Sequence, residues 1–455
     1  IAAAQGAPFA TGAPGDPVLQ RLIEESLDAR PELKQAQELV RAERERVPQA
    51  GALPDPVLSL GIQNDGFKGI QVGKMETSYY QVMVSQGIPW PGKRGLRTEV
   101  ADLGARQAEA SVARARLTTE ADVRRAYLDL ILTRERLGLL DRLESIWQKS
   151  AGVARSRYEA GDGAQSDVLR SQLELNRIRQ RRWLLQAEER TAVQTLDRLR
   201  GRSLDQPVET TAKVSDLPMP VVRELEPAVQ DALARSPELA LAKLGVTRAE
   251  AQVRLASRER FPDLGVNAGI MPRGGLEPMW QAGVSIGLPI WSSRKQGRAV
   301  AESEARAAAE TRSAEAIEQV VRLRVAERLQ AVRGLAESVG LYRDGLLTQS
   351  QATAESTLAQ YRVGKVTFAS VLEANAGLIN DEEGCLLALA SAERVAIADA
   401  EISLEPAAGG AGGGMGGAAV PGAGPLSSGG GSSASAGGAS SSADAAGSSS
   451  MSSKM

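Results

Sequence analysis

The chain of 455 residues sets 54 Lys and Arg against 56 Asp and Glu, a net charge of −2 that makes no electrostatic case for nucleic acid or an acidic ligand. It contains no histidine and a single cysteine, which excludes His-dependent triads, imidazole metal sites, intrachain disulfides and Cys-x-x-Cys chemistry. Aromatic residues are only 3% of the chain, and together with abundant Ala, Arg, Glu and Gln this favours long helices over large compact cores.

Residues 1–16 read as a leader remnant or extended segment, because Ala2, Ala3, Ala4 and Gln5 have the small-residue character of the end of a signal peptide. Export is the expectation that follows. A helix is predicted over 17–49, and two segments of period-two alternation come next. In the first, Leu58, Leu60 and Ile62 oppose Ser59, Gly61 and Gln63; in the second, Tyr80, Val82 and Val84 oppose Gln81, Met83 and Ser85. From about Arg94 to Tyr158 there is no proline, and Val123, Tyr127, Leu130, Leu137, Leu140 and Trp147 fall at helical spacing. At 1.5 Å per residue that helix is roughly 95 Å long, too long for a compact domain. A Tyr-x-x-Gly turn leads into a return helix over 166–201. Residues 204–225 are a proline-containing link.

The same order of elements then recurs: a helix over 226–260, alternating segments over 264–270 and 280–288, a long helix over 294–361 with Ile317, Val321, Val325, Val332 and Leu335 at helical spacing, a turn, and a helix over 367–405. Four sequence pairs stand in register, each offset by about 200 positions. They are Ala29-Arg30-Pro31-Glu32-Leu33 with Arg235-Ser236-Pro237-Glu238-Leu239; Pro54-Asp55-Pro56-Val57 with Phe261-Pro262-Asp263-Leu264; Val84-Ser85-Gln86-Gly87-Ile88-Pro89-Trp90 with Val284-Ser285-Ile286-Gly287-Leu288-Pro289-Ile290-Trp291; and Arg157-Tyr158-Glu159-Ala160-Gly161 with Gln360-Tyr361-Arg362-Val363-Gly364. The chain is therefore read as a tandem duplication, with one repeat over 17–203 and another over 226–405. Residues 406–455, almost wholly Gly, Ser and Ala, read as a disordered tail.

No run of about 18 apolar, uncharged residues occurs, so no transmembrane helix is predicted. The four alternating segments have one apolar face and one small, polar, almost uncharged face, which suits strands that separate lipid from a watery lumen. Phe67, Tyr79, Tyr80, Trp90, Phe261, Trp280 and Trp291, nearly half of the aromatic residues, lie in or beside these segments, where an interfacial girdle would place them. The competing reading of any one segment is a soluble hairpin over an ordinary core. Four strands cannot close a barrel, since the smallest single-chain barrels need about eight, so oligomerisation is expected to supply the rest.

These features resemble the outer-membrane efflux channel family, the TolC-like outer membrane factors, over about Pro17 to Glu405. The resemblance implies a membrane α+β fold: a homotrimer in which each chain gives four strands to a shared twelve-stranded outer-membrane β-barrel, continued by a long periplasmic α-helical barrel. It also implies a periplasmic adaptor at the helical tips and an inner-membrane pump beneath it. The family's tip signature appears twice, at Tyr158, Gly161, Val168 and Leu169 and at Tyr361, Gly364, Val371 and Leu372, which marks these as adaptor-docking positions. Pro89-Trp90-Pro91-Gly92-Lys93 and Pro54-Asp55-Pro56 look like the branch that serves heavy-metal pumps. Some members narrow the periplasmic entrance with aspartate rings six and nine residues after the second tip glycine; here those positions are Ser370 and Glu373.

The expected function is passive conduction of small substrates, drugs or metal ions, with outer-membrane lipid around the barrel and no catalysis, cofactor, bound metal or nucleic acid. Gly161 and Gly364 suit tight turns with left-handed backbone. Asp167 and Glu373 are candidates for an electronegative entrance, because a ring of carboxylates in a narrow mouth focuses the field and favours cations; a solvated helix face is the plainer fate of such residues. Cys385 reads as a small buried apolar residue. A periplasmic adaptor or secreted coiled-coil protein is the alternative, and it would lack both the strand quartet and the full-length duplication. An enzyme would need a Lys, Asp or Glu mechanism, for which no nucleotide loop or metal-ligand cluster is present.

Overall fold

The computed structural model describes residues 16–67 and 69–406; the expected leader remnant and tail lie outside these residues except for Asp16 and Pro406. The first repeat contains α1 (Pro17–Ala29), α2 (Pro31–Gly51), β1 (Val57–Gln63), β2 (Tyr79–Ile88), α3 (Lys93–Glu159) and α4 (Gln165–Leu199). The second contains α5 (Leu225–Arg235), α6 (Pro237–Arg258), β3 (Leu264–Arg273), β4 (Leu276–Ile286), α7 (Gln296–Leu341), α8 (Leu347–Arg362) and α9 (Phe368–Glu401).

Three expected helices are subdivided. The helices predicted over 17–49 and 226–260 each break at the residue before a proline, Arg30 and Ser236, both of which are extended. The pyrrolidine ring disfavours helical backbone in the preceding residue while suiting the first helical position itself. At the second break Ser236 Oγ caps α6 by accepting from the Leu239 amide at 3.2 Å. The long helix predicted over 294–361 carries a π-helical turn at Tyr342–Leu346 between α7 and α8, where its first-repeat counterpart α3 runs unbroken for 67 residues. Tyr342 lies against Gly384 of α9, and a Cβ at that glycine would stand 2.5 Å from the tyrosine oxygen.

The four strands form one antiparallel sheet in the order β1-β2-β3-β4, so its centre, β2 against β3, joins the two repeats. Leu60, Val82, Ile270 and Trp280 lie opposite one another across it in one row, and Ser59, Met83, Gly269 and Gln281 form a row on the other face. The apolar face is open to its surroundings: Leu60 is 73% and Trp280 80% exposed. A patch of that extent is unusual on a soluble surface and is what contact with lipid requires. The outer edges of β1 and β4 have no partner strand among the described residues.

Apolar burial lies mainly in the helices and the link that packs on them. On α4, Ser171, Ile178, Leu185 and Leu199 are buried at multiples of seven residues and pack toward α3, a coiled-coil seam. The main core gathers where the link returns, with Leu22, Val123, Leu130, Leu196, Val214 and Ile397 buried together. Within the chain the helices run side by side as α4, α3, α9 and then α7–α8. The end of α9 is held by arginines from two helices. Arg114 donates to the Glu401 carboxylate and backbone oxygen, both at 3.1 Å, Arg125 pairs with Glu401, and Arg324 donates to the Leu404 carbonyl at 2.8 Å.

Candidate functional site

Both hairpins turn by the same backbone device. After α3, Gly161 has φ +82°, and the Asp162 amide donates to the Arg157 carbonyl at 2.9 Å; after α8, Gly364 has φ +74°, and the Lys365 amide donates to the Gln360 carbonyl at 3.0 Å. This bond across six residues, with glycine in the left-handed position, closes a helix C-terminus and reverses the chain. A side chain at either glycine would be strained, because left-handed backbone crowds Cβ.

The two tips are tied to each other at one place. Tyr361, 2% exposed at the end of α8, donates its hydroxyl to Asp167 Oδ2 at 2.9 Å, in the first turn of α4. A carboxylate there is also favoured by the free amides of the helix N-terminus. From the other side Arg157 of α3 donates to the Tyr361 carbonyl at 2.6 Å and to the Asp162 carbonyl at 3.0 Å, and its guanidinium lies 4.7 Å from the centre of the Tyr361 ring. Phe368, at the start of α9, completes the cluster with its ring 5.3 Å from that of Tyr361. Burial, reinforced by the hydrogen bond to Asp167, pushes the Tyr361 hydroxyl up to about 12, so at neutral pH it remains a donor.

The other sequence-predicted positions have different surroundings. Tyr158 is exposed, so the two signature tyrosines are not equivalent. Val371 is fully buried and Leu372 packs beside it against the main core, whereas Val168 is half-buried and Leu169 exposed. Glu373 is exposed in a groove of about 450 Å³ between α8 and α9, whose walls carry Gln349, Ser350, Thr353, Thr357 and Ser370. Asp167 is engaged with Tyr361, and Glu373 faces this groove; the fold does not bring the two acids into one cluster. Arg157 and Phe368 were missed by sequence reasoning. A signal for Arg157 was present, since the paired tip motifs differ there, with Arg157 in one and Gln360 in the other. Among the described residues no group of His, Cys, Asp and Glu has the arrangement of a metal site.

An open sheet with an apolar outer face, carried on long helical hairpins with interlocked tips, defines the wall segment of a membrane conduit. A family model described as outer membrane efflux protein matches residues 22–202 and 228–410, and the chain belongs to that family. It is an outer-membrane efflux channel protein, with its sheet in the outer membrane and its helices in the periplasm. Nodulation protein T of Rhizobium leguminosarum bv. trifolii is 25% identical over 386 residues, covering 80% of this chain and 80% of that protein. The cobalt-zinc-cadmium resistance protein CzcC of Cupriavidus metallidurans is 26% identical over 250 residues, 55% of this chain and 57% of that one. Among solved structures, the open state of the Neisseria gonorrhoeae MtrE outer membrane channel superposes with a TM-score of 0.71 at 19% identity, covering 85% of this chain and 89% of that one. The outer-membrane channel OprN superposes with a TM-score of 0.70 at 22% identity, covering 85% and 90%.

Proposed function

We propose that three copies assemble into one conduit that receives small substrates from a periplasmic adaptor and an inner-membrane pump and conducts them passively outward, without catalysis. The observation that carries this reading is the open sheet, whose two edge strands each have one open side among the described residues and whose apolar face is exposed, and which completes its hydrogen bonding in lipid only by closing on other copies. Channels of this family are trimeric and work with adaptor and pump partners. The helices offer matching support. On α4 the face turned away from α3 exposes Leu169, Leu173, Trp183 and Leu184, while on α8 the face turned away from α9 exposes the small residues Ala352, Ser356 and Ala359. Large side chains on one end of the row of helices and small ones on the other suit knobs-into-holes packing between copies.

At the tips, Tyr158, Gly161, Val168 and Leu169 and their counterparts Tyr361, Gly364, Val371 and Leu372 form the end that meets the adaptor. The Tyr361–Asp167 and Arg157–Tyr361 contacts hold the two hairpins of a chain together there, and their release lets one hairpin swing relative to the other. Glu373 gives the groove beside them a negative charge that favours cations. The relationship to CzcC supports metal ions as cargo, with small organic compounds as the other reading. Deleting the gene and plating on cobalt, zinc and cadmium salts and, separately, on organic toxicants distinguishes the two. Sensitivity to the metals alone supports the metal reading, and sensitivity to organic compounds alone removes it.

A further inference from the structure

The two repeats build the same junction below the sheet, but the chain completes only one of them. At the completed junction, where β2 meets β3, Trp90 stacks on Phe261 with ring centres 5.6 Å apart. Lys93, 4% exposed, donates to Asp263 Oδ1 and to the Phe261 carbonyl, both at 2.8 Å, and the Trp90 amide donates to the same carboxylate oxygen at 2.9 Å. One half of this lock follows β2, and the other half precedes β3.

The duplication supplies both halves a second time. After β4 come Trp291 and Arg294, at the spacing of Trp90 and Lys93; before β1 come Leu53 and Asp55, at the places of Phe261 and Asp263. The backbone repeats as well: the Lys93 amide donates to the Trp90 carbonyl at 3.1 Å, and the Arg294 amide to the Trp291 carbonyl at 3.0 Å. Yet Trp291 is 68% exposed, Arg294 and Asp55 are exposed, and neither charge has a side-chain partner among the described residues. The two halves stand beside β4 and β1, the opposite edges of the sheet, and so do not meet within one chain.

We infer that Arg294 of one copy pairs with Asp55 of the next, with Trp291 covering Leu53, beneath a strand seam in which β4 meets the neighbouring β1 in the register β2 takes with β3. The inference rests on the trimer reading above and names the contact that closes the ring. Transposing the observed pairs Val82–Ile270, Val84–Ala268 and Ser85–Asn267 by the offsets of the repeat sets Ala282 opposite Ile62, Val284 opposite Leu60 and Ser285 opposite Ser59. Apolar residues then face apolar residues on the lipid side, and serine faces serine on the lumen side. A slip of one residue would set Val284 against Ser59 or Gly61 and break the face. The opposite charges of Arg294 and Asp55, which meet at one end of the seam, add a second constraint on the same register.

The test uses the full chain in outer-membrane fractions, with Ser59→Cys and Ser285→Cys in a Cys385→Ser background. Directly opposed residues on paired strands lie about 4.5–5.5 Å apart and suit a disulfide, whereas within one chain the two positions are three strand spacings and four residues along the strand apart, roughly 19 Å. Mild oxidation followed by non-reducing electrophoresis is expected to give covalent dimers and trimers. A protein that is trimeric by native mass but stays uncross-linked overturns the register and leaves the trimer reading standing. A native monomer removes the trimer reading and this inference with it. For the ion pair, Arg294→Asp and Asp55→Arg are each expected to lower the dissociation temperature of the trimer by about 5 °C or more, and the double exchange to restore it. A double exchange as unstable as the single ones overturns the pair.

Discussion

Replacing Tyr361 with phenylalanine isolates the tie between the tips. The substitution removes the 2.9 Å hydrogen bond to Asp167 and leaves the ring to pack on Phe368 and beneath Arg157. A hydrogen bond to a charged group is worth about 1.5–3 kcal/mol. Asp167 keeps partial access to water, which places this one at the lower end, about 1.5 kcal/mol, or roughly a tenfold shift in the balance between joined and separated tips for each chain. The assay is single-channel recording in planar bilayers, with Asp167→Asn and the double variant measured alongside. The expected result is higher conductance or open probability for each single variant and little further change in the double, since both remove the same bond. Wild-type conductance in Tyr361→Phe, or fully additive effects in the double, would refute the role given to this contact.

In the same recordings Glu373→Gln is expected to reduce cation preference; unchanged conductance and selectivity would remove Glu373 from the conducting path. Gly384→Ala is expected to cost about 1–3 kcal/mol in thermal or denaturant unfolding, because its Cβ meets Tyr342 at the π-helical turn, and Tyr342→Phe should recover part of the loss. Gly384→Ala at full stability would show that the ring is not held there. For pH, the hydroxyl of Tyr361 titrates near 12 when folded against about 10 when free. Its neutral form is the one the fold favours, so its contribution is complete below about pH 10 and is lost as pH rises through about 12. A tyrosinate absorbance titration should contain a late-ionising step that Tyr361→Phe removes, and an unchanged curve would contradict the burial assigned to the hydroxyl.

The parts of the fold with a short period were open to reading in the sequence. Alternation by two residues identifies the apolar row through Leu60, Val82, Ile270 and Trp280, and the duplicated Tyr-x-x-Gly motifs coincide with the two left-handed glycines. The breaks at Arg30 and Ser236 had a visible cause in Pro31 and Pro237, but the helical pattern on either side masked it. The contact that joins the tips was beyond local pattern. Tyr361 and Asp167 are 194 residues apart in the chain, and nothing in either neighbourhood announces the other. The same holds for the arginines that grip the end of α9, because Arg114 and Glu401 look like ordinary solvated charges until α3 and α9 are set side by side. The π-helical turn was also hidden, since the approach of Tyr342 to Gly384 of another helix leaves no local signal.

Purification from outer membranes, followed by native mass measurement and bilayer recording, decides whether this chain forms the wall of an outer-membrane conduit. A heat-modifiable trimer that opens discrete ion-conducting pores is expected. A soluble periplasmic monomer that leaves bilayers silent would contradict it.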